Sequence, residues 1–268
     1  MKVLVIGAGN MGLTYAEAMS KSKLLKKRNL MILDSSQEKT LSLKKILHFE
    51  VHENLGDCVP KADLIFIAVK PFHSEDLFKK MKSLVNEGQI VISIMAGVTI
   101  KSMQEGLGIH KIVRAMPNLP AQIGKGVTSY TASKEVSRIE LLTIENLLDT
   151  TGKSILVSSE KFIDASTGIS GSGPAYVFYF MQSMMEAALK MGFSGNDSKM
   201  LVSHTFEGAV DLFNQYDLSP NSWMDRVASK GGTTRAALDS MEDNNVKELI
   251  KEAAYSAFNR AVELGQDK

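Results

Sequence analysis

Three glycines near the amino terminus have the spacing that binds a dinucleotide. Gly7, Gly9 and Gly12 follow an apolar run at residues 2–6 and open a segment of helical periodicity. In a G-x-G-x-x-G loop between strand and helix, the glycines permit the tight turn, the approach of a pyrophosphate to the backbone, and close packing of helix on strand. The helix N-terminus adds N–H groups for the phosphates. The predicted pyrophosphate contacts are Gly7, Gly9, Asn10, Met11 and Gly12.

An acidic residue stands at the end of the second predicted strand. Asp34 is placed to hydrogen-bond the adenosine ribose hydroxyls, although it could instead cap the strand end with Ser35 and Ser36. No arginine stands in the turn from Asp34 to Gln37 to clamp a 2′-phosphate. The sequence therefore favours NADH over NADPH, while Lys39 lies near enough in sequence to reach a phosphate.

Two further loops follow apolar runs and are expected to line the same edge of a sheet. Ligands of open parallel sheets bind at the carboxyl ends of the strands, so we expect these loops to approach the nicotinamide half of the cofactor. Lys70 would meet a ribose or a phosphate there, or remain a solvated loop lysine. The residues concerned are Ala68, Val69, Lys70 and Pro71 in one loop and Ala96 and Gly97 in the other.

A glycine- and hydroxyl-rich segment in the second half is suited to binding an anion. Its consecutive glycines can turn backbone N–H groups inward, and the hydroxyls that follow can donate at a helix N-terminus. We interpret the segment as a carboxylate-binding loop, with simple helix capping as the alternative. It comprises Ser229, Lys230, Gly231, Gly232, Thr233 and Thr234.

The first part of the chain alternates apolar runs with amphipathic segments. Runs that are apolar on both faces are typical of strands in the middle of a parallel sheet, here residues 2–6, 30–33, 64–69 and 89–95. Helices are predicted over 11–21, 37–47, 75–85 and 135–148, and further strands over 112–115, 126–130 and 155–158. This pattern predicts an α/β fold, with a Rossmann-type doubly wound sheet over residues 1–158.

Residues 159–268 show helical spacing and are predicted to form an all-helical domain. The expected helices cover 174–191, 197–216, 220–228 and 246–264. The apolar faces of the first two are too extensive for these helices to cover by themselves, so we expect the domain to associate with a partner.

The amino-acid composition limits the classes of partner that the protein is expected to bind. Lys and Arg number 31 against 30 Asp and Glu, and this balance favours neither nucleic acid nor an anionic membrane. The single cysteine, Cys58, cannot form an intrachain disulfide, and the sequence lacks the closely spaced Cys/His clusters of metal sites. No run reaches the roughly 18 apolar residues of a transmembrane helix. We expect a soluble, cytoplasmic protein with a small-molecule partner and no metal.

Taken together, these motifs resemble the pyrroline-5-carboxylate reductase family over the whole chain. The pairing of the two Gly-rich C-terminal signatures behind a Rossmann half makes the resemblance specific. The matching segments are residues 7–12, 68–71, 114–120, 164–176 and 231–234.

The resemblance implies a reaction and an assembly. The reaction is the last step of proline biosynthesis, hydride transfer from NADH or NADPH to the C=N bond of Δ1-pyrroline-5-carboxylate, and the assembly is a homodimer with interlocked C-terminal domains or a higher oligomer. In the family, the loop matching Ser229, Gly231, Gly232 and Thr233 binds the substrate carboxylate, and the threonine matching Thr234 faces the ring nitrogen. Lys230 and the Arg235-Ala236-Ala237 continuation depart from the family pattern, which leaves their effect on substrate affinity open.

Imine reduction places few demands on acid–base residues. A protonated cyclic iminium is already electrophilic, so orienting it against the cofactor supplies most of the catalysis. If protonation at the ring nitrogen needs help, the Thr234 hydroxyl or a bound water is the candidate proton donor. The histidines are scattered and are interpreted as surface or packed residues: His48, His52, His73, His110 and His204.

Two alternatives stay open at this point. A β-hydroxyacid or 6-phosphogluconate type dehydrogenase shares the two-part organisation but needs a catalytic lysine on the first interdomain helix, and Lys190 lies near the far end of that helix. A non-catalytic NAD(P)-binding sensor would instead use its Met-rich helices for contacts, although Met184, Met185 and Met191 are more typical of a core or dimer interface.

Overall fold

The computed structural model describes residues 1–45 and 50–266. These residues form two compact units. The first contains the described part of Met1–Ser172 together with the helical residues from Ser256 onward, and the second is Gly173–Tyr255. The predicted division at residue 158 separates a cofactor-binding part from a substrate-binding part, and it stays a prediction.

An eight-stranded sheet forms the centre of the first unit. Its strands lie in the order β3-β2-β1-β4-β5-β6-β7-β8, and every neighbouring pair is parallel except β6 and β7. The chain reverses direction across the sheet between β1 and β4, which is the switch point where such sheets bind ligands. The strands are β1 (Val3–Ile6), β2 (Leu30–Leu33), β3 (Glu50–His52), β4 (Leu64–Ile67), β5 (Ile90–Ser93), β6 (Ile112–Met116), β7 (Gly126–Ala132) and β8 (Gly152–Leu156).

Burial explains why the sheet takes this form. Every residue of β1, β2, β4 and β5 is buried, so these strands need cover on both faces. Two separate clusters of apolar side chains provide it, one on each face. The predicted doubly wound α/β architecture is thereby confirmed.

Helices of the first unit cover the sheet. They are α1 (Asn10–Lys21), α2 (Gln37–Leu43), α3 (Leu55–Cys58), α4 (Ser74–Met81), α5 (Ile100–Leu107), α6 (Arg138–Leu148) and α7 (Glu160–Ser166). A π-helical turn, Thr167–Gly171, follows α7 directly. Residues 46–47 of the predicted second helix lie outside the described residues.

Helices alone make up the described second unit. They are α8 (Gly173–Lys190), α9 (Gly195–Gln215), α10 (Pro220–Val227), α11 (Thr233–Asp243) and α12 (Val246–Gln266), the last of which continues into the first unit. No residue of α8 is buried, and its exposed side chains include Val177, Phe178, Tyr179, Met184 and Leu189. The helical C-terminal part predicted from the sequence is confirmed.

The sequence-based prediction missed the helices α3, α5 and α7, and its main differences in the strands fall at the edges of the sheet. The last strand runs over Gly152–Leu156 instead of 155–158, because Gly152 pairs in register with Gly126 at the start of β7. The apolar residues that suggested the later start, Ile155 and Leu156, are exposed on this edge strand. The edge strand β3 was not predicted, since its three residues are only partly buried and carry no apolar run.

Candidate active site

The glycine-rich loop joins β1 to α1 at the carboxyl edge of the sheet. Gly7 has a left-handed backbone, with φ of +99°, and a side chain there would press against the Ala68 backbone. At Gly12 a Cβ would overlap the Gly7 carbonyl oxygen. Nothing lies within 4 Å of the corresponding position at Gly9. The first and third glycines are therefore required for packing, while the second leaves open space.

That open space lies at the start of α1. Gly9 is the N-cap residue and its position has no side-chain capping hydrogen bond, so the first N–H groups of the helix remain available to a ligand. Tyr15 anchors α1 to the sheet through a hydrogen bond between its hydroxyl and Thr128 Oγ1, 2.8 Å long. Burial raises the pKa of Tyr15, so the phenol stays protonated and the anchor persists at neutral pH. These residues fit the pyrophosphate of a dinucleotide.

Asp34 follows β2 and connects it to the glycine-rich loop. One carboxylate oxygen accepts the Ala8 N–H at 2.7 Å, and the other accepts the Ser36 N–H at 2.9 Å. The Lys39 ammonium lies 3.7 Å from the oxygen that Ala8 contacts. Asp34 is 9% exposed and Lys39 53%, so the lysine is the more accessible of the two to an incoming group.

The other two predicted cofactor loops also lie at the carboxyl ends of their strands. Ala68 follows β4 and its N–H donates to the Ile6 carbonyl, which places it beside the glycine-rich loop. Lys70, two residues on, is exposed. The loop after β5 contains Gly97, which is buried, and a Cβ there would lie 2.8 Å from the Leu264 carbonyl oxygen of α12.

The segment from Ser229 to Thr234 lies in the second unit and ends at the start of α11. Gly231 has φ of +71°, and the Gly232 N–H donates to the Ser229 carbonyl at 3.0 Å, which makes a tight turn. Gly232 is the N-cap of α11 without a side-chain capping bond, so the N–H groups of Thr233 and Thr234 face outward from a helix N-terminus. This arrangement can accept a carboxylate.

Two residues that depart from the family pattern differ in their surroundings. The Arg235 guanidinium lies 3.7 Å from the Asp225 carboxylate and 3.9 Å from that of Asp239, so two acidic groups already balance its charge. Lys230 is exposed.

Matches to family models cover both parts of the chain. The model described as pyrroline-5-carboxylate reductase dimerisation matches residues 160–264, and one described as NADP oxidoreductase, coenzyme F420-dependent, matches residues 2–97. Pyrroline-5-carboxylate reductase 2 of Bacillus subtilis is 31% identical over 265 residues, which are 98% of this chain and 95% of the relative. The pyrroline-5-carboxylate reductase of Aquifex aeolicus is 32% identical, with 98% and 97% covered. This chain belongs to the pyrroline-5-carboxylate reductase family.

Solved structures of the family have the same fold. The pyrroline-5-carboxylate reductase of Coxiella burnetii gives a TM-score of 0.91 at 30% identity, covering 98% of both chains. The Plasmodium falciparum pyrroline carboxylate reductase, whose structure has NADP bound, gives 0.89 at 29% identity, covering 99% of this chain and 98% of that one. Membership in this oxidoreductase family favours the reductase interpretation over the hydroxyacid dehydrogenase and sensor alternatives.

One buried ionic group in the first unit has no counterpart in the sequence-based prediction of the reductase site. Arg114, in β6, pairs with the carboxylates of Glu160 and Asp164 in α7. Both Arg114 and Asp164 lie in segments that resemble the family, yet their pairing could not be predicted because 50 residues separate them. The only feature of the sequence that pointed to this ion group was an arginine, Arg114, inside an otherwise apolar strand.

Within the described ranges 1–45 and 50–266, no helix is long and apolar enough to cross a membrane. The same ranges contain no group of three or more His, Cys, Asp or Glu side chains arranged to hold a metal ion.

Proposed function

We propose that the protein reduces the C=N bond of Δ1-pyrroline-5-carboxylate and so produces L-proline. Family membership and the uncapped, glycine-led N-terminus of α11 support this substrate, because that terminus suits a carboxylate. The reduced nicotinamide cofactor supplies the hydride when bound.

The dinucleotide would be held by the first unit. The N–H groups at the start of α1, from Asn10, Met11 and Gly12, would receive the pyrophosphate, and the space beside Gly9 admits it. Ala68, Val69, Lys70, Pro71, Ala96 and Gly97 would complete the site along the strand ends, with Gly97 also supporting α12 through its contact with Leu264.

NADH is the preferred cofactor in this proposal. The Asp34 carboxylate, already held by Ala8 and Ser36, would repel a 2′-phosphate and can accept from a ribose hydroxyl. Lys39 acts in the opposite direction, because its ammonium partly offsets that charge and is exposed. The Asp34 carboxylate contacts the Ala8 N–H of the glycine-rich loop directly, so we assign it a larger effect on cofactor choice than Lys39.

The substrate would be held by the loop before α11. Ser229, Gly231, Gly232 and Thr233 would surround the carboxylate, and the Thr234 hydroxyl would contact the ring nitrogen. Thr234 is partly buried while Thr233 is exposed, which fits a directed contact at Thr234. The residues need only orient an already electrophilic iminium, and the Thr234 hydroxyl oxygen can accept a hydrogen bond from its ring N–H. Of the described histidines, His204 is exposed on α9 and pairs only with Glu207, so it fits a surface residue; His48 lies outside the described residues.

A homodimer, alone or within a higher oligomer, is proposed as the active form. On α9 only Ser198 and Val202 are buried, and exposed apolar side chains there include Met200, Val210 and Phe213. Together with the exposed face of α8, this surface is apolar enough to require a partner. We propose that residues 159–268 form it by interlocking with the second copy, and that residues 1–158 bind the cofactor.

We place the protein in the cytoplasm. Its single cysteine, Cys58, is buried, and burial raises the pKa of its thiol to about 11, which disfavours the reactive thiolate. A chain without a cysteine pair is typical of a reducing compartment.

An absorbance assay tests the proposed reaction. Purified protein should oxidise NADH, and NADPH more slowly, when Δ1-pyrroline-5-carboxylate is added, and chromatography should detect proline in equal amount. A 3-hydroxyacid with NAD⁺ serves as the comparison substrate and should give no turnover. Absence of proline with folded protein and both cofactors would exclude the proposal.

A further inference from the structure

We propose that Arg114 is a positioning residue for this reaction. Together with Glu160 and Asp164 it fixes two segments at the carboxyl edge of the sheet: the loop 95–99, which precedes α5, and the π-helical turn Thr167–Gly171. The effect on turnover rests on the proposed function, whereas the positioning of the two segments does not.

Arg114, Glu160 and Asp164 form a buried ion group, which we call the clamp. Arg114 is 2% exposed, and its Nη1 and Nη2 atoms donate to Glu160 Oε1 at 3.1 Å and to Asp164 Oδ1 at 2.5 Å. The two carboxylates are four residues apart, which places them on one face of α7. A buried guanidinium needs such partners, and its planar fork fixes their direction. This one side chain therefore fixes the direction of both carboxylates and helps to orient α7 against β6.

Glu160 extends the clamp to α5. The same Oε1 atom that Arg114 contacts accepts the Ile100 N–H at 2.9 Å. Ile100 is the first residue of α5, where the helix dipole favours a negative group. The loop 95–99, with the predicted cofactor residues Ala96 and Gly97, ends at this point. Its carboxyl end is thus tied to the clamp.

Asp164 extends the clamp to the π-helical turn. Thr167 begins that turn three residues after Asp164, and its carbonyl accepts the Ser172 N–H at 2.8 Å, the i to i+5 bond of a π-helix. Met116 lies on the same face of β6 as Arg114, and its terminal carbon is 3.6 Å from where a Cβ of Gly171 would be. Residues of β6 therefore contact Asp164, just before the turn, and lie beside Gly171 at its end. π-helical turns occur frequently at functional sites.

A second ion pair, next to the start of β6, provides a matched control. Lys111 directly precedes β6, at the opposite edge of the sheet, and its ammonium lies 2.6 Å from the Glu140 carboxylate. Burial raises the pKa of Glu140, but hydrogen bonds from Lys111 and Ser137 outweigh it and leave the pKa below its usual value. Breaking this pair perturbs the fold near β6 without touching either positioned segment.

The experiment compares Asp164→Asn and Glu160→Gln with Glu140→Gln in the full chain, at a temperature where each is folded. It measures kcat and KM for Δ1-pyrroline-5-carboxylate, NADH affinity by fluorescence, and amide hydrogen exchange. Asp164→Asn should speed exchange in residues 167–172 and lower kcat about 10- to 100-fold, since small misplacement of a site costs that much. Its NADH affinity should stay within about twofold of wild type, because the hydrogen bond that holds the end of loop 95–99 comes from Glu160 and not from Asp164.

Glu160→Gln and Glu140→Gln distinguish effects on loop 95–99 from effects on the π-helical turn. Glu160→Gln should speed exchange at Ile100 and weaken NADH affinity more than Asp164→Asn does, and Glu140→Gln should change neither segment nor kcat. Asp164→Glu, which keeps the charge, should recover most of the lost kcat. Unchanged exchange in both segments, or a kcat loss in Glu140→Gln equal to that in Asp164→Asn, would overturn the inference. If wild type does not reduce the substrate, the proposed function fails while exchange and NADH affinity still decide the positioning.

Discussion

The Ala8 N–H donates to the Asp34 carboxylate across 2.7 Å, so the residue that ends β2 also holds the glycine-rich loop in place. The two predicted cofactor elements, which lie 26 positions apart in the sequence, are therefore joined by a direct hydrogen bond. A change at Asp34 is expected to alter both the choice of cofactor and the order of the loop.

The first prediction concerns cofactor choice. Wild-type protein should have a higher kcat/KM with NADH than with NADPH, because the Asp34 carboxylate repels a 2′-phosphate. Asp34→Ser should narrow or reverse the preference, and it should also weaken NADH binding, since the Ala8 N–H loses its charged acceptor.

Lys39→Met is the matched variant for this test, because it removes the cation that lies 3.7 Å from Asp34 and should strengthen the preference for NADH. Steady-state kinetics with both cofactors measure each ratio. A wild-type preference for NADPH of about tenfold or more, equal to about 1.4 kcal/mol, would show that Lys39 or another cation governs the pocket.

The second prediction separates two glycines of the same motif. Gly9→Ala adds a methyl group to open space, so its free energy of unfolding should stay within about 0.5 kcal/mol of wild type while NADH affinity falls at least about tenfold. Gly12→Ala would overlap the Gly7 carbonyl and should destabilise the fold by about 1–3 kcal/mol or more. Urea unfolding and NADH fluorescence titration measure both. Equal loss of stability in the two variants would be inconsistent with this assignment.

The central strands were predictable because their chemistry is local. Runs such as Leu30–Leu33 are apolar at every position, and only a strand covered on both faces buries them fully. The edge strands were harder, since Ile155 and Leu156 are exposed and the register of β8 follows from its pairing with β7, which no local pattern encodes. The boundary error there reflects a long-range constraint.

The third prediction concerns the substrate loop. Thr234→Ala should lower kcat/KM for Δ1-pyrroline-5-carboxylate about 10- to 100-fold, because one hydrogen bond to a charged group is worth about 1.5–3 kcal/mol. NADH affinity should hardly change. Thr143→Ala, which removes a half-buried threonine hydroxyl that donates to the Ile139 carbonyl within α6, is the control and should behave as wild type. An unaltered kcat/KM in Thr234→Ala would assign the nitrogen contact to another residue.

The fourth prediction tests whether two chains share each active site. Chains carrying Gly9→Asp, defective in cofactor binding, and chains carrying Thr234→Ala should each be inactive or weak alone. After co-refolding, hybrid dimers should regain activity if one site combines an intact cofactor half from one chain with an intact loop from the other.

Light scattering and affinity tags of two kinds establish whether the hybrid forms. A hybrid that forms without regaining activity, or an active monomer, would contradict a shared site.

The candidate site was predictable where a motif carries its own geometry. The glycine loop and the Gly-Gly-Thr-Thr segment are both local turns at helix starts, so their residue types indicate their conformation. The Arg114 group depends on α7 returning to β6, and sequence alone offered only an unexplained arginine. The Asp34 contact with Ala8 was hidden for the same reason, since the expected partner was a ribose.

Transfer of deuterium tests the central claim most directly. Protein incubated with Δ1-pyrroline-5-carboxylate and NADH deuterated at both C4 positions should release L-proline that carries a single deuterium at C5, as detected by mass spectrometry and NMR. The same incubation with Thr234→Ala should give the same product more slowly. Proline without deuterium, or no proline from folded wild-type protein with either cofactor, would contradict the account.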